Sequence, residues 1–142
     1  MCNTKLLRLF RNFLEQYTDN ATYWYPLCVL KIDVPVVAYD LRKIYKENSI
    51  EQLESTLKSY NIRMVQAFQM QNNNREIRVE NMISLLYKKD NDGYIFPWEI
   101  ETYYFDDSKE WMIYVSHEWT ITFTGDQLVR EAKKNIQAQF LY

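Results

Sequence analysis

The fold is decided by residues 111–125, which read Trp111-Met112-Ile113-Tyr114-Val115-Ser116-His117-Glu118-Trp119-Thr120-Ile121-Thr122-Phe123-Thr124-Gly125. Every odd position from 111 to 123 is apolar except His117, while the even positions carry Met112, Tyr114, Ser116, Glu118 and three threonines. A period of two is the mark of a strand with one buried and one solvated face. The run is too long for one ordinary strand of up to about 10 residues. Either a tight, strained hairpin folds at Ser116-His117-Glu118, setting Val115 against Trp119 and Ile113 against Ile121, or one bent strand carries a bulge. His117-Glu118 marks the irregularity in both cases. The left-handed position that such hairpins want has neither Gly nor Asn here.

Working outward, Asp106-Asp107-Ser108-Lys109 is a turn cluster. A four-residue loop there sets Tyr104 against Trp111, Ile100 against Val115 and Trp98 against His117. On the other face Tyr103 meets Met112, Glu101 meets Tyr114, and Glu99 meets Ser116. The apolar parities agree, and a one-residue slip destroys that agreement. Further upstream, Asp92-Gly93 is a favoured hairpin pair. It sets Tyr87 against Trp98 and Leu85 against Ile100, favouring strand for 82–89. The stretch 76–88 otherwise fits helix and strand alike.

The flanks read as helices with a few strands. Leu6, Leu7, Phe10, Phe13, Leu14 and Tyr17 give residues 4–18 a helical stripe. Residues 23–33 are aromatic and β-branched, as a strand requires. Pro35 fits the first turn of a short helix to about Glu47, with Val37, Leu41 and Ile44 inward. Ser49-Ile50-Glu51-Gln52 is a capping box, and Leu53, Leu57 and Tyr60 continue its helix to a cap at Asn61. Residues 62–70 read as a strand, and 71–74 as a polar loop. Leu128, Ala132, Ile136 and Phe140 step by four along a last helix, Asp126 to Phe140. The expectation is a single α+β domain over residues 1–142. An antiparallel β-meander at about 82–124 packs against N-terminal, middle and C-terminal helices. Trp98, Ile100, Trp111, Ile113, Val115, Ile121 and Phe123 face Leu128, Ala132 and Ile136, and the N-terminal half adds one or two strands.

Composition narrows the function classes. A chain of 142 residues buries a core without staples. A net charge of -2 lacks the basic footprint of a nucleic-acid binder. Two glycines rule out a glycine-rich phosphate loop. Cys2 and Cys28 form neither a CxxC pair nor a disulfide framework. No segment approaches the roughly 20 apolar residues of a membrane span, and the first residues show no signal peptide. The reading is therefore a soluble, cytoplasmic protein with no cofactor and no metal.

The solvated face of the meander gathers Glu99, Glu101, Tyr103, Tyr114, Ser116 and Glu118. Such an acidic, Tyr-studded face suits a protein partner with a basic surface, since Tyr offers contact area and carboxylates pair with Arg and Lys. An ordinary solvated face, or one partly covered by a helix, explains the same residues. His117 with Glu118 or Glu99 is a candidate for acid–base catalysis, but strand neighbours such as His117 and Glu118 point to opposite faces. Glu99 and Glu101, about 7 Å apart at strand spacing, form a carboxylate pair with no visible cleft. Asp90-Asn91-Asp92-Gly93 opens like a calcium loop but places its twelfth position, Glu101, inside a strand beyond Pro97. The Ser-His-Glu and Thr-Phe-Thr-Gly of 111–125 resemble small bacterial proteins, some thought to be immunity proteins. That resemblance implies no family and no functional residue. The expectation is non-catalytic protein binding, of an immunity or antitoxin kind. The alternatives are a small enzyme using His117 as general acid–base, or a small-ligand or carbohydrate-binding domain needing an exposed Trp.

Overall fold

The computed structural model describes residues 35–46, 50–68, 75–81, 91–92, 102–106, 108, 110–116 and 119–137. They form an α+β fold. Its strands are β1 (Val36–Asp40), β2 (Met64–Phe68), β3 (Arg75–Arg78), β4 (Thr102–Phe105), β5 (Met112–Val115) and β6 (Thr120–Thr124). Its helices include α1 (Leu41–Lys46), α2 (Ile50–Ser59) and α3 (Asp126–Asn135), and residues 79–81 after β3 are helical as well. The strands make one antiparallel sheet in the order β1-β6-β5-β4-β2-β3. β4-β5-β6 is thus the C-terminal part of the expected meander, with β1 at one edge and β2, followed by β3, at the other.

The face parities hold, but both registers move by two residues. β4 sets Tyr104 against Ile113 and Tyr103 against Tyr114, not against Trp111 and Met112. The connection from β4 to β5 is longer than four residues because Asp106 builds its own turn. Its carboxylate accepts the Ser108 N–H (3.0 Å) and the Ser108 hydroxyl, while Ser108 Oγ accepts the Glu110 N–H at 3.2 Å. Trp111 then precedes the strand and is buried. β5 and β6 are two strands rather than one bent strand, with Val115 against Ile121 and Ile113 against Phe123. A two-residue slip preserves the faces, so alternation alone does not distinguish these registers.

Residues 36–40 depart from the expected helix. Val36 and Val37 are β-branched, and pairing with β6 (Val37 against Phe123, Tyr39 against Ile121) outweighs the helix start offered by Pro35. The helix begins only at Leu41, where the Asp40 carboxylate accepts the Arg42 N–H at 2.8 Å as an N-cap. Val37, Leu41 and Ile44 are buried as expected.

α2 ends as its sequence indicates. Asn61 is left-handed at φ 61, Ile62 N–H donates to Leu57 O (3.0 Å), and Asn61 N–H donates to Lys58 O (2.9 Å). This is a Schellman closure, with Ile62 buried beside Leu57 in the core cluster. α3 stops at Asn135 rather than Phe140. Ile136 is extended (φ -93, ψ 115), and Gln137 N–H donates to Gln52 Oε1 of α2 at 3.0 Å. Docking onto α2 ends the helix while keeping Ile136 buried.

The core joins one sheet face to the helices. Tyr39, Val65, Tyr104, Ile113, Val115, Ile121 and Phe123 meet Ile44, Leu53, Leu57, Leu128 and Ala132 in one cluster. The helix at 4–18, the strands at 23–33 and 82–89, and core positions Trp98, Ile100 and Phe140 lie outside the described residues. Among the described residues no helix is long and apolar enough to cross a membrane.

Candidate functional site

The predicted binding face runs along the even side of β5 and β6. Tyr103 and Tyr114 pair directly, and their rings stack at 4.5 Å with 17° between planes. Tyr103 is only 2% exposed and Ser116 8%, whereas Tyr114 is half-buried. Phe105, Met112, Thr122 and Thr124 on the same face are buried too. Its centre is therefore not the solvated surface that alternation implies, and Tyr114 marks where it opens. Glu99, Glu101, His117 and Glu118 lie outside the described residues.

The end of the β5–β6 hairpin is the distinctive local structure. Ser116 O accepts the Trp119 N–H (3.2 Å), and Ser116 N–H donates to Thr120 O at 3.0 Å. The Ser116 and Thr120 hydroxyls lie 2.7 Å apart. Trp119 closes the turn with φ 64. The left-handed residue thus falls one position beyond the expected loop Ser116-His117-Glu118, and it too is neither Gly nor Asn. A bulky side chain there costs about 1–2 kcal/mol. Trp119 is half-buried, and its carbonyl accepts the Leu41 N–H at 2.9 Å. Thr120, half-buried, stands opposite Asp40.

Two electrostatic features flank this sheet. Asp40 is pulled up by burial, but hydrogen bonds from the Arg42 side chain and backbone, the Arg42 charge and the Lys43 N–H outweigh this and hold it below the usual range. The Arg42 guanidinium approaches to 3.2 Å but is well exposed, so the ion pair itself adds little. At the opposite end, Tyr60 OH donates to Glu110 Oε2 at 3.2 Å. Burial first, then the Glu110 charge and hydrogen bond and the Asp106 charge, push the phenol up to about 12. Among the described residues no group of three or more His, Cys, Asp or Glu is placed to hold a metal ion.

Sequence reasoning missed three of these contacts. The Asp40 cap had a signal, an Asp before Leu41-Arg42-Lys43-Ile44, hidden by the earlier helix start expected at Pro35. The Tyr60–Glu110 bond spans 50 positions and has no local signal. Trp119, expected to pair with Val115 as a strand residue, instead takes a left-handed conformation that its residue type argues against. Comparison of the chain with protein-family models, curated proteins and solved structures finds no match.

Proposed function

We propose that the protein is a non-catalytic protein-binding domain that engages a partner through the β5–β6 hairpin end. The observation that carries this reading is Trp119, a half-buried aromatic held with φ 64 on a turn. Aromatic side chains in fixed positions supply large contact area at low entropic cost, and backbone strain gathers at functional positions. Tyr114 adds a second partly exposed ring, stacked on the buried Tyr103 of the neighbouring strand. Glu99, Glu101 and Glu118 contribute the acidic component of this reading, which suits a partner with a basic surface. An intracellular immunity-like or antitoxin-like role, neutralising such a partner, is the biological form we favour.

Affinity capture with the tagged full-length protein tests this reading. One stoichiometric partner, lost with Trp119→Ala and weakened by Glu99→Lys with Glu101→Lys in folded variants, supports it. A partner retained by all three substitutions refutes this surface as the site. The partial exposure of Trp119 also favours a second reading, a small-ligand or carbohydrate site with the indole as stacking platform. Saturable quenching of Trp fluorescence by a panel of neutral oligosaccharides, absent in Trp119→Ala, distinguishes it.

A further inference from the structure

Asn61 and Trp119 are the non-glycine residues with positive φ among those described. Asn61 belongs to a helix closure that suits its residue type. Trp119 has no such excuse, and strain of this kind persists only where the surroundings over-determine it. Four restraints lie within the hairpin. They are the Trp119 N–H to Ser116 O bond, the Ser116 N–H to Thr120 O bond, the Ser116–Thr120 hydroxyl pair, and a longer Thr120 N–H to Ser116 Oγ bond at 3.4 Å. The fifth comes from elsewhere in the chain, where Leu41 N–H donates to Trp119 O at 2.9 Å.

Leu41 is the first residue of α1. A helix cannot satisfy its own first amides. Here the Leu41 amide goes to the hairpin, and the next amide, of Arg42, goes to the Asp40 carboxylate at 2.8 Å. Asp40 in turn stands opposite Thr120, the residue after Trp119. Helix start, edge strand and strained turn therefore share one short stretch of backbone. The stabilisation from an N-cap and the strain of a left-handed bulky residue are of similar size, so losing the first tips the balance of the second.

We propose that the capped start of α1 and the β5–β6 hairpin form a latch: docked α1 holds Trp119 in its left-handed form, and release of α1 lets the turn relax and re-aim the indole. The coupling is reciprocal. A ligand that seizes the hairpin in one form changes how firmly α1 docks, and a contact that draws α1 away reshapes the hairpin. The latch stands on the hydrogen-bond geometry alone. Its test needs no binding partner, and its failure is separate from failure of the binding reading.

The test is NMR on the isotope-labelled full-length protein. The readouts are the intraresidue HN–Hα NOE of Trp119, strong at positive φ, and amide exchange at Leu41. Asp40→Ala is expected to speed Leu41 exchange about five-fold or more and to weaken the Trp119 NOE together. Asp40→Asn, an equally good cap, keeps both at wild-type values. Trp119→Gly, which removes the strain without touching the cap, is expected to slow Leu41 exchange by about the same factor. A Trp119 NOE that stays strong while Leu41 is released overturns the latch, because the hairpin then holds its own strain. So does unchanged or faster Leu41 exchange in Trp119→Gly, which also serves if Asp40→Ala fails to fold.

Discussion

Gly125→Ala should be among the most damaging single-methyl additions in the described part of the chain. Gly125 sits at φ 111 and ψ 139 before α3, a region that L side chains rarely adopt. Occupying it with a side chain costs on the order of 1–3 kcal/mol. The neighbourhood adds to this. The β5–β6 register sets Met112 against Thr124, so one step further Gly125 lies over Trp111 and Glu110. A Cβ on Gly125 would come far closer than 3.0 Å to the Glu110 carbonyl oxygen and to 3.0 Å from Trp111 Cα. Both are backbone atoms and do not swing away as a side chain does. Overpacking of this kind costs about 1–3 kcal/mol. The sum, roughly 2–6 kcal/mol, is a large share of the 5–15 kcal/mol that holds a typical domain folded. Gly125 N–H also donates to Pro35 O (3.3 Å) and its carbonyl accepts the Val129 N–H (2.9 Å), so backing away breaks the entry to β1 or the first turn of α3. Urea denaturation followed by far-UV circular dichroism measures the effect, with exposed Asp126→Ala as control. At a slope of about 2 kcal/mol per molar, the midpoint should fall by about 1–3 M. A loss below about 1 kcal/mol would refute the close approach of these two backbone segments.

Other expectations are simpler. Asn61→Ala should cost about 1–2 kcal/mol for a left-handed residue at the Schellman closure, whereas Asn61→Gly should cost little, both read from urea midpoints. Phe123→Ala, at a fully buried position edge-on to Tyr39 (ring centroids 6.1 Å apart), should lose about 3–5 kcal/mol; a loss under about 1 kcal/mol contradicts its place in the core. Tyr60 has a folded-state pKa of about 12, above its ordinary value of about 10, so its contribution to stability is complete below that value and is lost as pH rises towards 12. Tyr60→Phe should therefore lose less stability than wild type between about pH 10 and about pH 12, and equal losses would show that neither burial nor Glu110 holds the phenol above its ordinary value. Asp40 has the opposite sign. Its folded pKa is depressed, so its contribution is present at neutral pH and disappears as pH falls below the carboxylate range, an acid-limb loss that Asp40→Asn should reduce.

Local chemistry determined much of this protein before any long-range contact was known. The alternation of 111–123 assigns Ile113, Val115, Ile121 and Phe123 to one buried face because successive side chains on a strand must point to opposite sides. Asn61 after Leu53 and Leu57 marks a helix end because its side chain tolerates left-handed backbone. Tertiary structure decided what such rules leave degenerate. A two-residue slip preserves every face, so the self-made turn at Asp106 and the left-handed Trp119 settled who pairs with whom. Val36–Asp40 became a strand because β6 had an edge to complete, a fact absent from those five residues. The even face of the sheet reads as solvated in Tyr103 and Thr122, yet both are buried. Period two reports that a sheet has two faces, and only the packing of the whole chain decides how many of them meet water.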